Sequence, residues 1–144
     1  MTQKRGRILI VEAPYYTDIA DMLAAGAIAE LDARGVDYER FTVPGALEIP
    51  AVISAARESF DGFVALGCVI RGQTSHYDIV AGESARALMD LTIGDNLAIG
   101  NGILTTDTMD QARVRADPQQ KNKGRDAVQA CLAVIDAKRK FAGS

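Results

Sequence analysis

The chain alternates between short, wholly apolar runs and longer stretches in which apolar residues recur every three or four positions. Arg7-Ile8-Leu9-Ile10-Val11-Glu12 is of strand length and predicts a strand buried on both faces. Ala13-Pro14-Tyr15-Tyr16-Thr17 interrupts it, and Thr17 or Asp18 stands where a helix N-cap would be. Ile19, Leu23, Gly26, Ala27 and Leu31 then recur at helical spacing, with Gly35 as the stop. A second strand is predicted at 38–43. Pro44-Gly45-Ala46-Leu47-Glu48-Ile49-Pro50 reads as a loop, and Pro50 suits the first turn of a helix running to about residue 59. Asp61-Gly62 turns into a third strand at 63–69. Val80, Ser84, Ala87, Leu88 and Leu91 share one helical face, and Gly94-Asp95-Asn96 marks the next turn. A fourth strand covers 97–104, where Gly100 and Gly102 invite a bulge or a close backbone approach. A short helix at 110–116 ends at Asp117-Pro118. The last helix covers 121–140, with Val128, Cys131, Leu132 and Ile135 facing inward.

Strands that alternate with helices imply an α/β fold: a four-stranded parallel sheet with helices on both faces. Right-handed crossovers bring the loops at 14–18, 44–50, 70–78 and 105–110 to one edge of that sheet, where ligands bind in open α/β folds. Four strands also leave two sheet edges to cover, and oligomerisation is one way to cover them.

The length of 144 residues predicts one domain, 1–144, with 1–6 as a flexible N-terminus. A net charge of −3 gives no reason to expect nucleic acid as a partner. The basic N-terminus leads into an apolar run too short for a signal peptide, and a spanning helix needs ~20 residues. No membrane partner is expected, and the cytoplasm is the expected compartment. Cys68 and Cys131 lie far apart and read as buried free thiols, with a disulfide as the minority alternative. One histidine and no paired cysteine motif leave nothing on which to propose a metal site.

The densest chemistry lies in Leu66-Gly67-Cys68-Val69-Ile70-Arg71-Gly72-Gln73-Thr74-Ser75-His76-Tyr77-Asp78. A strand end, a glycine, hydroxyl residues, the only histidine and a helix start follow one another there. This layout suits a phosphorylated small molecule. Free backbone N–H groups at a helix start attract an anion, glycine lets it approach the backbone, and Thr74 adds a hydroxyl. Imidazole, with an unperturbed pKa of about 6.5, carries protons near neutral pH. The alternatives are helix capping for Thr74 and Ser75, and a surface position for His76. Arg115 is a candidate phosphate counter-charge, because guanidinium can hold phosphate through two parallel hydrogen bonds. It lies in a basic stretch with Arg113, Lys121, Lys123 and Arg125; a solvated helix face is the reading for Arg113 and Arg125.

Three segments together resemble the 6,7-dimethyl-8-ribityllumazine synthase family. Val43-Pro44-Gly45-Ala46-Leu47-Glu48-Ile49-Pro50 is similar to its P-G-A-x-E-x-P segment, and residues 67–78 are similar to its G-x-V-I-x-G-x-T-x-H-Y/F-D/E segment. Asn101-Gly102-Ile103-Leu104-Thr105-Thr106, Gln111-Ala112, Arg115-Ala116 and Asn122-Lys123-Gly124 match its last third in order and spacing. The resemblance implies a three-layer α/β/α flavodoxin-like fold. It implies a transferase of riboflavin biosynthesis that condenses 5-amino-6-ribitylamino-uracil with 3,4-dihydroxy-2-butanone 4-phosphate and needs no cofactor. It implies a homopentamer, in some members an icosahedral 60-mer, with sites between subunits.

Residue by residue, the resemblance implies that His76 is the catalytic proton carrier. Gly72, Gln73 and Thr74 hold phosphate, joined by Arg115 from the adjacent subunit. Tyr15 stacks on the uracil ring, Glu48 and the backbone of Ala46 and Leu47 hold the pyrimidine and ribityl chain, and Val69, Ile70, Asn101 and Lys123 line the same region. Glu48 also reads as a first-turn acid favoured by the helix dipole. Pro14 stands where many members carry Arg, and Asn101 where several carry Phe. Asp117-Pro118-Gln119-Gln120 replaces the Gly- and Lys-containing turn of shell-forming members. A flavin- or lumazine-binding module without catalysis, and a structural shell protein, are the alternative readings.

Overall fold

A computed structural model describes residues 6–72 and 74–142. Residues 1–5, which hold most of the expected flexible N-terminus, and Gln73, from the expected phosphate loop, lie outside the described residues. The elements run β1 (Arg7–Glu12), α1 (Thr17–Ala33), β2 (Asp37–Thr42), a single 3-10 turn (Ala46–Glu48), α2 (Ile49–Ala55), β3 (Gly62–Ile70), α3 (His76–Gly94), β4 (Ile99–Thr106), α4 (Met109–Ala116) and α5 (Lys123–Ala142). The sheet has the order β2-β1-β3-β4 and every pairing is parallel. Helices cover both faces, which makes this a three-layer α/β/α flavodoxin-like fold.

The apolar runs of β1 and β3 form the centre of the sheet because they alone are apolar at successive positions. Ile8, Ile10, Val64 and Leu66 point to one face and pack on Ile19, Leu23, Ala27 and Leu31 of α1, Ala112 and Ala116 of α4, and Val128, Cys131, Leu132 and Ile135 of α5. Leu9, Val11, Phe63 and Ala65 point to the other, against Ile49 and Ile53 of α2 and Leu88 of α3. The glycines of β4 serve close approach and not a bulge. The β3–β4 register runs unbroken from Phe63↔Ile99 to Ile70↔Thr106, while a Cβ on Gly100 would lie 1.8 Å from the Ala127 carbonyl oxygen of α5. Gly35 takes φ +66 and ends α1 as expected.

Three local expectations are corrected. Tyr16, and not Thr17 or Asp18, is the N-cap of α1, with extended backbone and no side-chain capping bond; its ring is instead packed against the core. The helix after Pro50 stops at Ala55, because the chain must turn through 56–61 to enter β3. Cys68 is half-buried, not buried; both thiols are free. Among the described residues, no helix is long and apolar enough to cross a membrane.

Candidate functional site

β2 lies on one side of β1 and β3 on the other, so the crossovers leaving β1 and β2 run in opposite directions. The strand order reverses there, and a crevice opens beyond the carboxyl ends of β1 and β3. A cleft of about 430 Å³ occupies this place. It is lined by Ala13, Tyr15 and Tyr16 after β1, residues 44–48 after β2, Cys68, Val69 and Ile70 at the end of β3, and His76 and Val80 of α3.

The two tyrosines have different environments. Tyr15 is 76% exposed, whereas Tyr16 packs on the core beneath it. Their rings meet edge-on at 4.9 Å and 84°. Burial, with Cys68 and Tyr15 nearby, pushes the Tyr16 phenol above its ordinary pKa. Only Tyr15 offers an open ring to a flat ligand. Across the cleft, the 3-10 turn brings Ala46 and Leu47 to its wall, and the Glu48 carboxylate folds toward Gly45. Burial pushes the Cys68 thiol up to about 11, so at neutral pH it is a small packing group and not a nucleophile.

His76 is the first residue of α3 and is exposed at the cleft rim. Its backbone N–H donates to Thr74 Oγ1 at 3.2 Å, so Thr74 does act as a local cap. Ser75, the N-cap residue, makes no side-chain capping bond. Gly72 is exposed, and a Cβ there would meet nothing within 4 Å. Neither Gly72 nor Thr74 lines the cleft itself.

The remaining expected residues lie elsewhere. Asn101, Arg115 and Lys123 line a second cavity of about 420 Å³ between β4, α4 and α5. Arg115 Nη1 donates to the Gln111 carbonyl at 3.3 Å, and the Asn101 carboxamide oxygen accepts from the Ile103 N–H at 2.9 Å. The two cavities share no lining residue.

Two participants escaped the sequence reading. Asp126 lines the second cavity and holds Lys123 at 3.5 Å; its place three residues after Lys123 on a helix was the available signal. Arg71 donates to Asp107 at 2.8 Å, lies 3.7 Å from Asp78 and sits over the Tyr77 ring at 4.4 Å. It thereby ties the segment carrying His76 to the start of α3 and to the β4–α4 loop, a link between 71 and 107 that no local pattern reveals.

The family model for 6,7-dimethyl-8-ribityllumazine synthase matches residues 5–139. The chain belongs to that family. A member from Methylorubrum populi is 56% identical over 140 residues, covering 92% of this chain and 83% of its own. One from Bartonella bacilliformis is 53% identical and covers 98% and 97%. A protein from Rhodopseudomonas palustris named 6,7-dimethyl-8-ribityllumazine synthase 1 is 51% identical and covers 94% and 88%. As a lumazine synthase family member the chain is an enzyme, a transferase of riboflavin biosynthesis.

Proposed function

We propose that the chain condenses 5-amino-6-ribitylamino-uracil with 3,4-dihydroxy-2-butanone 4-phosphate at a site completed by two subunits, giving 6,7-dimethyl-8-ribityllumazine, phosphate and water. The observation that carries this reading is that the expected residues other than Gly72, Gln73 and Thr74 divide between two cavities. The cleft has an open aromatic ring, loop amides, a carboxylate and an imidazole, but among the described residues no lysine or arginine lines it. The second cavity has Arg115 and Lys123 but no aromatic ring or histidine. Each complements what the other lacks.

In this reading Tyr15 stacks on the uracil ring, and the amides of Ala46 and Leu47 read its polar edge between Val69 and Ile70. Glu48 accepts hydrogen bonds from ribityl hydroxyls. The 5-amino nitrogen attacks the ketone carbonyl and water leaves to give the imine. A proton and phosphate are then lost to give an enol that becomes a second carbonyl. The ribitylamino nitrogen attacks that carbonyl with loss of a second water to close the ring, and His76 moves the accompanying protons. Gly72, Gln73 and Thr74 at the start of α3 hold the phosphate with Arg115 of the neighbour, while Asn101 and Lys123 close the far wall. Much of the acceleration comes from orienting two substrates.

The two halves occupy different patches of the surface; a head-to-tail contact joining them closes into a ring when the rotation between neighbours closes. The nearly uncovered strand β2 and the open side of β4 fit such neighbours. A homopentamer in the cytoplasm, working on small molecules as one domain per chain, is the assembly we assign. The test mixes purified protein with both substrates and follows the fluorescent product. A protein-dependent rise that is lost in His76→Ala supports the reading; no rise above the spontaneous reaction refutes it.

A further inference from the structure

Glu12 is 4% exposed, which is unusual for a carboxylate, and it sits at the carboxyl end of β1, where the cleft begins. Arg40 of β2 meets it as a planar fork, Nε to Oε2 at 2.7 Å and Nη2 to Oε1 at 2.8 Å. The pair does not lie among the cleft-lining residues, so the proposed chemistry does not use it directly. Its place in the chain is nevertheless specific. The residue after Glu12 begins the loop that carries Tyr15 and Tyr16. The loop that carries Ala46, Leu47 and Glu48 begins four residues after Arg40, at Pro44.

Within one chain, β2 is otherwise held by its backbone pairing with β1 and by the Arg7–Glu39 ion pair at the far end of the two strands, so Glu12–Arg40 is the side-chain tie next to the loops. β2 is an edge strand, and of its six residues only Tyr38 is even half-buried. Its backbone pairs with β1 alone, and the last tie before the loop is the Val43 N–H to the Glu12 carbonyl at 2.8 Å. Backbone pairing fixes the strand spacing, while the twist between neighbouring strands varies over about 10–35°. A two-bond fork between side chains on neighbouring strands restrains that twist, because both bonds are in length only at one relative orientation. Asp21 of α1 and Tyr38 lie near enough to add to the field at the guanidinium, so α1, whose N-terminus follows Tyr16, belongs to the same arrangement.

We propose that the Glu12–Arg40 pair is a positioning device for the pyrimidine half of the site: it sets the angle between the Tyr15 loop and the Glu48 loop. The inference rests on the functional reading above. Because both loops belong to the half assigned to the pyrimidine, loss of the pair acts on that substrate and spares the butanone phosphate, which is assigned to the start of α3 and to the second cavity. Structure and positioning are separable here. The Glu12 carboxylate is buried while the Arg40 side chain is 46% exposed, so removing Arg40 alone strands a buried charge, whereas replacing both partners by apolar groups removes that cost. Apolar contact has no preferred angle, so it can restore the fold without restoring the geometry.

The test measures steady-state kinetics with each substrate varied in turn, on the full-length oligomer, for wild type, Arg40→Met, Arg40→Lys and the double variant Glu12→Leu with Arg40→Met. The expected result is a KM for the ribitylamino-uracil raised about tenfold in Arg40→Met, with the KM for the butanone phosphate within about twofold of wild type. Arg40→Lys, which keeps the charge and loses the fork, falls between them. The double variant melts near wild type yet keeps the raised pyrimidine KM. This keeps the proposal falsifiable if Arg40→Met folds poorly. A double variant whose melting temperature and pyrimidine KM both return to wild type would overturn the proposal, since the pair would then serve stability alone. Equal change in both KM values would overturn it too. Absence of product from the wild type would refute the functional reading, and the positioning role with it; product from the wild type with an unchanged pyrimidine KM in the variants refutes the positioning role only.

Discussion

The division of the site predicts that two inactive variants will repair each other. His76→Ala damages the cleft, and Arg115→Ala damages the second cavity. Loss of a positioned acid–base group costs about 10²–10⁴-fold in rate. Loss of a charge-assisted contact to phosphate costs about 1.5–3 kcal/mol, or about ten- to 150-fold. Either variant alone therefore falls well below wild type. When the two are unfolded together in equal amounts and reassembled, each site draws its cleft from one subunit and its second cavity from the next. The chance that both halves are undamaged is the product of two independent halves, so about a quarter of wild-type activity returns for a ring of any size. The assay is initial rate of lumazine fluorescence for the co-refolded mixture, with separately refolded variants combined afterwards as the control. Recovery near a quarter in the first and none in the second is the expected pattern. A co-refolded mixture no more active than the mean of its parents would mean that each site lies within one chain, and the two-subunit reading would fall.

Two glycines should respond with opposite sign. Gly100→Ala drives a methyl into the Ala127 carbonyl and should cost about 3 kcal/mol, the upper end for overpacking against backbone; Gly82→Ala meets nothing within 4 Å in the middle of α3 and should gain about 0.5–1 kcal/mol. Denaturant melts of both variants check this, and equal shifts would refute the close approach of α5 to β4. The thiols should be inert: burial holds Cys68 up to about 11 and Cys131 up to about 12, so alkylation at neutral pH should be slow and should quicken as the pH rises toward those values, because the thiolate is the reacting form. Fast labelling at pH 7 by mass spectrometry would contradict it. Arg71→Ala should lower turnover while leaving the melting temperature nearly unchanged, since its ion pairs to Asp107 and Asp78 are exposed but pin the segment that ends in His76; a parallel loss of stability and activity would count against a local role.

How far the sequence could be read follows from which interactions are periodic. β1 and β3 were legible because burial on both faces demands unbroken apolar runs, and α1 and α5 because one-sided burial demands spacing of three and four. Gly100 was legible only as a bulge or a close approach; the unbroken register and the Ala127 carbonyl neighbour decide for the latter. The cap of α1 was not, because Thr17 and Asp18 have the right chemistry but Tyr16 has the tertiary reason, a ring packed on the core. Arg71 with Asp107, and Glu12 with Arg40, are likewise joined by the sheet and not by spacing. The candidate site shows the same limit on a larger scale. The residues alone name Tyr15, Glu48 and His76 together with Arg115 and Lys123; that Arg115 comes from an adjacent subunit was implied only by the family resemblance, since order along a chain says nothing about which copy supplies each. The fold separates them by placing the first group at the strand-order reversal and the second beside the edge strand β4. An edge strand is where a parallel sheet must meet another molecule or remain uncovered. In the proposed two-subunit reading, Arg115 and Lys123 beside that edge make the covered edge and the completed site one event, and an isolated chain is expected to bind the pyrimidine substrate without the counter-charge for its co-substrate.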